Sequence, residues 1–219
     1  MPPALSLLDV VTHPEDETSD LVKLVTAQGS LVGRLHPADG DAAILWVFGS
    51  GGGLGGPAGR VYTRLAGLLQ PRGVASLELD YRRPGELGAC VQDALLGIAW
   101  LETLGKTRTV LVGHSFGGAV VIGAGAVSPT VVAVAALSSQ TAGTGAVDAL
   151  SPRPLLLVHG TADEILPPSC SEDIHARASG PKELILYPGC RHGLDQCREA
   201  LDRDLLLWLE GVLRPAPPP

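Results

Sequence analysis

The chain has 219 residues, including 28 glycines and 18 prolines, and its formal net charge is −7. This length favours one domain, or at most two small ones, and suffices for a sizeable core; an apolar content of 45% argues against intrinsic disorder, which requires weak hydrophobicity and strong charge. The 16 basic residues are outnumbered by 23 acidic ones and form no cluster beyond Arg82 and Arg83, which argues against a nucleic acid partner.

The first residues show neither a basic start nor an apolar run of the kind found in secretory signals, so we expect a cytoplasmic protein. Four cysteines are too few for a disulfide scaffold, and reduced thiols are the expected state. Cys190 and Cys197 could pair, and their spacing leaves this open. Residues 109–147 contain no Asp, Glu, Lys or Arg, but glycine, histidine, serine and proline interrupt them, which indicates a buried core rather than a membrane span.

In chain order, the sequence predicts a loose lead-in over residues 1–19 and then a β-hairpin with strands at 21–25 and 31–35. Apolar strands then alternate with segments of helical periodicity, which is typical of βαβ units in a mainly parallel sheet with helices on both faces. The later strands are predicted at 43–48, 74–79, 110–112, 131–137, 155–159 and 184–187, and the helices at 61–69, 91–101, 116–127, 168–178 and 201–212. We therefore expect a single-domain α/β protein, a three-layer α/β/α sandwich with its core at 20–212, a Pro-rich tail at 214–219 and no cap domain.

The strongest motif follows the strand at 110–112, where residues 113–118 read Gly-His-Ser-Phe-Gly-Gly. This is G-x-S-x-G between an apolar strand and an apolar helix, the setting of a nucleophile elbow. The glycines let two backbones pass closely at a sharp turn, and the helix N-terminus offers N–H groups to a developing oxyanion. Ser115 is therefore the candidate nucleophile, and the N–H group of Phe116 is a candidate oxyanion donor.

A serine hydroxyl needs a general base, and the base needs a carboxylate that orients it. Asp163 and His192 each follow a predicted strand, in the order serine, acid, histidine that this type of sheet favours. Glu164 and Asp195 remain alternatives for the acid, because Asp163 could merely cap the helix that follows it. His159, at the end of its strand, is interpreted as structural, and a metal site made of His159, Asp163 and His192 lacks the spacing of a ligand motif.

Three segments resemble the α/β-hydrolase superfamily: the elbow, the acid turn at 159–168 (His-Gly-Thr-Ala-Asp-Glu-Ile-Leu-Pro-Pro) and the histidine loop at 189–194 (Gly-Cys-Arg-His-Gly-Leu). Further matches extend the resemblance over about residues 20–212, namely Asp80-Tyr81-Arg82 and a helix with Asp93 and Trp100-Leu101. The resemblance implies that Ser115 is the nucleophile, Asp163 the orienting acid and His192 the base. Dienelactone hydrolases share this layout but have cysteine at the elbow, so Ser115 argues against that particular enzyme.

The second oxyanion donor is expected in the glycine-rich loop that follows the strand at 43–48. The superfamily commonly has His-Gly at the start of this loop, whereas this chain has Phe48-Gly49. The N–H groups of Ser50 and Gly51 therefore both remain candidates, with Ser50 slightly favoured. Residues 51–56 also match G-x-G-x-x-G, but the acidic residue at the end of the next strand, Asp80, comes 29 residues after the first glycine. A dinucleotide fingerprint has this residue about 20 positions on, so no nucleotide cofactor is expected.

Together these features predict a serine hydrolase that cleaves small carboxylic esters through an acyl-enzyme, with no cofactor and no metal. Residues 138–154 leave no room for the helical cap that many superfamily members insert there, so an open cleft and a small-molecule ester substrate are expected. Thioester, lactone and peptide substrates remain alternatives, as does a non-catalytic interaction module of the same fold. The resemblance makes Arg82 structural, while substrate roles for Arg83 and Arg191 and the oligomeric state stay open.

Overall fold

The sheet begins with three antiparallel strands, β1 (Leu7–Pro14), β2 (Asp20–Thr26) and β3 (Gly29–His36), in a computed structural model that describes residues 5–214. β2 and β3 form the predicted hairpin. The expected loose lead-in was wrong for β1, which pairs with β2 along most of its length. β1 is an edge strand with no fully buried residue, so the sequence shows no apolar alternation there. Residues 1–4 of the lead-in and 215–219 of the Pro-rich tail lie outside the described residues.

Six further strands form the larger part of the sheet, and they are parallel to one another. They are β4 (Ala42–Val47), β5 (Ala75–Leu79), β6 (Arg108–His114), β7 (Val131–Leu137), β8 (Leu155–Gly160) and β9 (Lys182–Tyr187). The strands form one sheet in the order β1-β2-β3-β5-β4-β6-β7-β8-β9, in which β3 and β5 pair antiparallel. The predicted mainly parallel sheet with an antiparallel N-terminal hairpin is confirmed.

Helices cover both faces of the sheet and complete the predicted three-layer sandwich. α1 (Pro57–Leu69) and α5 (Arg198–Leu213) pack on one face, and α2 (Leu87–Thr103), α3 (Phe116–Val127) and α4 (Ser169–Arg177) on the other. Strand β4 shows why the parallel strands read as continuous apolar runs: Leu45 packs on the α2 and α3 side, and Trp46 on the α1 and α5 side. Both side chains are completely buried.

The uncharged stretch at residues 109–147 forms the centre of the sandwich. It contains most of β6, all of α3 and all of β7, and most of these residues are buried. Removing apolar surface from water contributes about 25 cal/mol per Å², so this strand–helix–strand unit is a main source of folding free energy. Within residues 5–214, no helix is long and apolar enough to cross a membrane.

The strand order creates a crevice at the carboxyl ends of the central strands. From β4 the chain moves to β5 on one side, and later returns to β6 on the other side of β4. The connections that leave β4 and β6 therefore diverge, and ligands of doubly wound sheets bind at such points. These two connections are the glycine-rich loop and the elbow. The connection from β7 to β8 contains only a short 3₁₀ turn, Val147–Leu150, so it supplies no helical cap.

Candidate active site

Ser115 occupies a strained turn between β6 and α3. Its φ of 58° and ψ of −120° lie in a region that non-glycine residues rarely adopt. A Cβ at Gly113 would overlap the carbonyl group of Gly117, and a Cβ at Gly117 would overlap the carbonyl oxygen of Phe48. Both flanking positions of the motif therefore require glycine. The N–H group of Ser115 donates to the carbonyl oxygen of Leu137 on β7 at 2.8 Å, which ties the turn to the next strand.

The structure brings together three side chains that the sequence placed after separate strands. His192 Nε2 lies 3.1 Å from Ser115 Oγ, and His192 Nδ1 lies 2.7 Å from Asp163 Oδ2. Because the carboxylate can only accept, Nδ1 carries the hydrogen of a neutral imidazole and Nε2 can accept the serine proton. Ser115 and His192 are partly exposed, whereas the Asp163 side chain is completely buried. A reactant can thus approach the serine while water is kept away from the carboxylate.

The turn after β8 satisfies both oxygens of Asp163. Oδ1 accepts hydrogen bonds from the N–H groups of Ile165 at 2.8 Å and Leu166 at 2.9 Å, while Oδ2 faces His192. Burial by itself raises the pKa of this carboxyl, but the hydrogen bonds from Leu166, His192 and Ile165 outweigh it and lower the pKa below the usual range. Asp163 is therefore ionised at neutral pH and can orient and stabilise an imidazolium.

His159 and the two alternative acids have different positions relative to this carboxylate. Glu164 and Asp195 are exposed, and within residues 5–214 Asp163 is the one carboxylate paired with His192.

His159 is completely buried beside this carboxylate. Its Nε2–H group donates to the carbonyl oxygen of Leu166 at 3.0 Å, and Nε2 lies 3.1 Å from Asp163 Oδ2. His159 thus supports the acid turn directly, a contact that its position at a strand end does not reveal.

The loop that carries His192 is attached to the acid turn through the backbone. The N–H group of Ala162 donates to the carbonyl oxygen of Cys190 at 2.9 Å, and a Cβ at Gly160 would overlap the same carbonyl group. On the other side of the loop, the carbonyl oxygen of Gly193 accepts a hydrogen bond of 2.8 Å from an N–H group in the non-helical segment at the start of α1. The ends of β8 and β9 and the start of α1 thus hold the imidazole within reach of the acid.

A disulfide bond between Cys190 and Cys197 closes the segment that contains His192. The expectation of reduced thiols was therefore wrong for this pair, while Cys90 and Cys170 are free. The sequence could not decide the question, because pairing depends on the separation of the two Cα atoms, which the turn of this loop sets at 5.9 Å.

The glycine-rich loop passes close to the elbow. A Cβ at Gly49 would lie 3.7 Å from the Cβ of Ser115, which is van der Waals contact. Within residues 5–214, the N–H groups of Ser50, Gly51 and Phe116 have no hydrogen-bond acceptor. Unpaired N–H groups beside a serine can stabilise negative charge on an oxygen bound there. Ser50 and Gly51 therefore both have the unpaired N–H group that is expected of the second oxyanion donor.

His114, the variable residue of the elbow motif, contacts the candidate base. Its Nε2–H group donates to the carbonyl oxygen of His192 at 2.9 Å, and the two ring centroids are 4.8 Å apart. Burial lowers the pKa of His114 to about 4, so its ring is neutral at physiological pH and places no positive charge beside His192. Sequence reasoning missed this role, because the motif does not constrain the residue at this position.

The arginines near the strand ends differ in burial. Arg82 is almost fully buried; its Nε lies 2.5 Å from Asp93 Oδ1, and its backbone N–H group donates to Asp93 Oδ2 at 2.9 Å. This is the structural role that the resemblance implied. Arg83 is exposed and lies 3.5 Å from Glu86, and Arg191 is exposed.

In the described part of the chain, no group of three His, Cys, Asp or Glu residues is arranged to hold a metal ion.

Comparison with known proteins gives relatives of low sequence identity. No family model matches the chain. The uncharacterized protein YfhR of Escherichia coli, from strain K12 and from O157:H7, is 27% identical over 220 residues, an alignment that covers 84% of this chain and 77% of that protein.

Solved structures match nearly the whole chain. Dienelactone hydrolase from Anabaena variabilis has a TM-score of 0.77 at 21% identity, covering 90% of this chain and 98% of its own. Est1E from Butyrivibrio proteoclasticus has a TM-score of 0.72 at 18% identity, covering 88% and 98%. An alpha-beta serine hydrolase homologue from Coxiella burnetii has a TM-score of 0.71 at 21% identity, covering 88% and 99%. The chain has the fold of the α/β-hydrolase superfamily.

Proposed function

We propose that this protein is a serine hydrolase that cleaves carboxylic esters of small molecules. The observation that carries the proposal is the hydrogen-bonded series Ser115–His192–Asp163, with distances of 3.1 and 2.7 Å. A serine, an imidazole and a buried carboxylate in this order make a weak hydroxyl nucleophilic. A solved structure of the same fold that is described as an esterase domain, from a Rhodothermus marinus protein, supports an ester as the bond class.

Acylation begins when Ser115 Oγ attacks the ester carbonyl and His192 Nε2 takes the serine proton. Asp163 keeps the imidazole in the tautomer with hydrogen on Nδ1 and stabilises the imidazolium that forms. The carbonyl oxygen becomes an oxyanion, which the N–H groups of Phe116 and of Ser50 or Gly51 stabilise. The imidazolium then gives its proton to the leaving alcohol, and an acyl-enzyme remains.

Deacylation repeats the sequence with water as the nucleophile. His192 Nε2 removes a proton from water, the hydroxide attacks the acyl carbon, and the same donors stabilise the second oxyanion. Ser115 then leaves as the alcohol after it receives the proton from the imidazolium. A small substrate is supported by the short connection between β7 and β8, which supplies no cap to enclose a long acyl chain.

The test is covalent labelling of purified protein with a fluorophosphonate, together with turnover of p-nitrophenyl acetate and butyrate. We expect the wild type to be labelled at Ser115 and to hydrolyse both esters. Ser115→Ala should lose the label and at least about 10⁴-fold in kcat, because removal of a triad nucleophile leaves only oxyanion and binding effects. Ser169→Ala, which changes an exposed serine on α4, should retain wild-type labelling and turnover.

The role of the base is tested with His192→Ala, which should lose turnover by a similar factor while its fold is unchanged by circular dichroism. His13→Ala on the exposed edge strand β1 is the matched control. A wild type that takes up no label and hydrolyses no activated ester would favour the non-catalytic interaction module. Measuring kcat/KM for ester, thioester, lactone and peptide substrates with similar acyl groups shows which bond is cleaved fastest.

A further inference from the structure

Two carboxylates of the β5 end bind backbone N–H groups of the glycine-rich loop. Glu78 Oε2 accepts from the N–H group of Gly55 at 2.5 Å, and Asp80 Oδ1 accepts from the N–H group of Gly53 at 2.7 Å. β5 is the direct neighbour of β4, from which the loop departs. The loop is therefore attached to the adjacent strand at two alternate residues.

These bonds divide the loop into two parts. The N–H groups of Gly53 and Gly55 are taken up by carboxylates, whereas those of Ser50 and Gly51 have no acceptor within residues 5–214. The unpaired donors follow Gly49, the residue in contact with the elbow. The part of the loop bound to β5 is thus continuous with the part that holds the unpaired donors and contacts the elbow through Gly49.

The contact with Asp80 explains the glycine pattern that resembles a dinucleotide fingerprint. Gly52 has φ of 71°, and a Cβ at this position would overlap Asp80 Oδ1. Asp80 Oδ1 also accepts from the N–H group of Tyr81 at 2.8 Å, so the carboxylate bridges the loop and the strand end. Glycine is required here because the loop backbone approaches a side-chain carboxylate of the same chain, and not because it approaches a phosphate.

Glu78 is held as a buried anion. Its side chain is only 1% exposed, and it lies 3.4 Å from an Arg34 nitrogen and 2.9 Å from Thr63 Oγ1. Burial raises the pKa of Glu78, but the His36 ring 3.5 Å away, the hydrogen bonds from Thr63 and Gly55, and the charge of Arg34 lower it below the usual range. An apolar residue in its place would leave the N–H group of Gly55 buried without an acceptor, which is costly.

We propose that Glu78 and Asp80 are positioning residues of the oxyanion hole, a role that rests on the proposed hydrolase function. Residues 49–56 include six glycines, and glycine loses more backbone entropy on ordering than any other residue. The two carboxylates fix this loop before substrate binds, so the donor at Ser50 or Gly51 needs no ordering in the transition state. Since the oxyanion forms only on reaction, loosening the loop lowers kcat more than it raises KM.

The test compares two substitutions at Asp80 with p-nitrophenyl butyrate as the substrate. Asp80→Ala removes the acceptor of the Gly53 N–H group and is expected to lower kcat about 10- to 100-fold, with KM within about threefold of the wild type. Asp80→Asn keeps an acceptor oxygen and is expected to recover most of kcat. Asp39→Ala, at an exposed position near the opposite end of β4, is the matched control and should behave as the wild type.

A second measurement uses the wild type alone and does not depend on whether a variant folds. Amide hydrogen exchange followed by NMR should be slower at Gly53 and Gly55 than at Ser50 and Gly51, because only the first pair is hydrogen-bonded. Equal exchange at all four amides, an unchanged kcat in Asp80→Ala, or an Asp80→Asn variant as impaired as Asp80→Ala would overturn the proposal. A wild type without label or turnover would instead overturn the hydrolase function itself.

Discussion

At the scale of the residue, the absence of a side chain is what lets the elbow form. Gly117 faces the carbonyl oxygen of Phe48 so closely that a Cβ would overlap it, and Ser115 between the glycines has a φ of 58°. Backbone strain of this kind costs about 1–3 kcal/mol and persists only when the surrounding structure holds it in place. Here β7 and α3 hold it, because the N–H group of Ser115 donates to the carbonyl oxygen of Leu137 and the N–H group of Gly118 donates to the carbonyl oxygen of Ser115.

This geometry predicts opposite effects for two glycine-to-alanine substitutions. Gly117→Ala must displace β4 backbone, and we expect it to lower kcat by at least about 100-fold and the free energy of unfolding by about 2 kcal/mol or more. Gly211→Ala, in α5 with no atom within 4 Å of the added Cβ, should raise the free energy of unfolding by about 0.5–1 kcal/mol and leave turnover unchanged. Urea denaturation and ester hydrolysis measure both effects. Normal turnover in Gly117→Ala would contradict this account of the elbow.

At the scale of the element, the distance between Asp163 and the candidate base His192 is set where β8 and β9 end. The backbone bond from Ala162 to Cys190 joins the two connections, and the disulfide to Cys197 joins the same loop to the start of α5. The loop that carries His192 is therefore attached at both ends to regular structure. Such attachment limits the motion of the imidazole relative to Asp163 and Ser115.

The disulfide predicts that stability depends on the redox state while the site geometry survives reduction. Closing a segment of the size of 190–197 lowers the conformational entropy of the unfolded chain, which stabilises the folded state by about 2.5 kcal/mol in the chain-entropy model. Cys190→Ser/Cys197→Ser should lower the free energy of unfolding by about this amount, yet retain turnover at 25 °C because the backbone contacts of the loop remain. Cys170→Ser, which changes a free cysteine, is the control. Equal stability of the wild type with and without dithiothreitol would refute the contribution of the disulfide.

At the scale of the whole molecule, the alternation of strands and helices was sufficient to predict the α/β layout. Strands buried on both faces appear as continuous apolar runs, so α3 and β7 were predicted with their observed ends. The strand predicted at 110–112 is the centre of β6, which is longer at both ends. β1 could not be predicted, because an exposed edge strand has no buried side that imposes a pattern. Its place depends on pairing with β2, which is a non-local property.

The candidate site was predictable to a similar degree and for a similar reason. Ser115, Asp163 and His192 follow strand ends, and parallel strands bring their carboxyl ends to one edge of the sheet. The carboxylates that bind the glycine-rich loop were missed, although Glu78 inside an apolar strand was a usable signal, since a buried charge requires partners. Cross-strand partners such as Gly55 depend on register, which a single sequence does not specify.

The whole-molecule property that follows most directly from the buried groups is a loss of stability in acid. His114 has a folded pKa of about 4 against an ordinary value of 6.5, so between these pH values the unfolded chain binds a proton that the folded chain does not. The contribution of neutral His114 to the free energy of unfolding is therefore complete above pH 6.5 and is lost as pH falls toward 4. Glu78 and Asp163, whose pKa values are lowered by hydrogen bonds that outweigh burial, add a further loss below about pH 4.5. Burial raises the pKa of Asp93, which opposes this second loss in part.

We expect the free energy of unfolding, measured by urea denaturation at a series of pH values, to be highest near pH 7 and to decrease from pH 6.5 to pH 4. His114→Gln removes the titrating group but keeps an N–H donor for the carbonyl oxygen of His192, so its profile should be flatter over this range. His13→Gln, on the exposed edge strand, should retain the wild-type slope. Below pH 4.5 all three proteins should lose stability together, because the buried carboxylates are common to them. A His114→Gln profile parallel to that of the wild type between pH 6.5 and 4 would show that His114 is not the group that links folding to protons there.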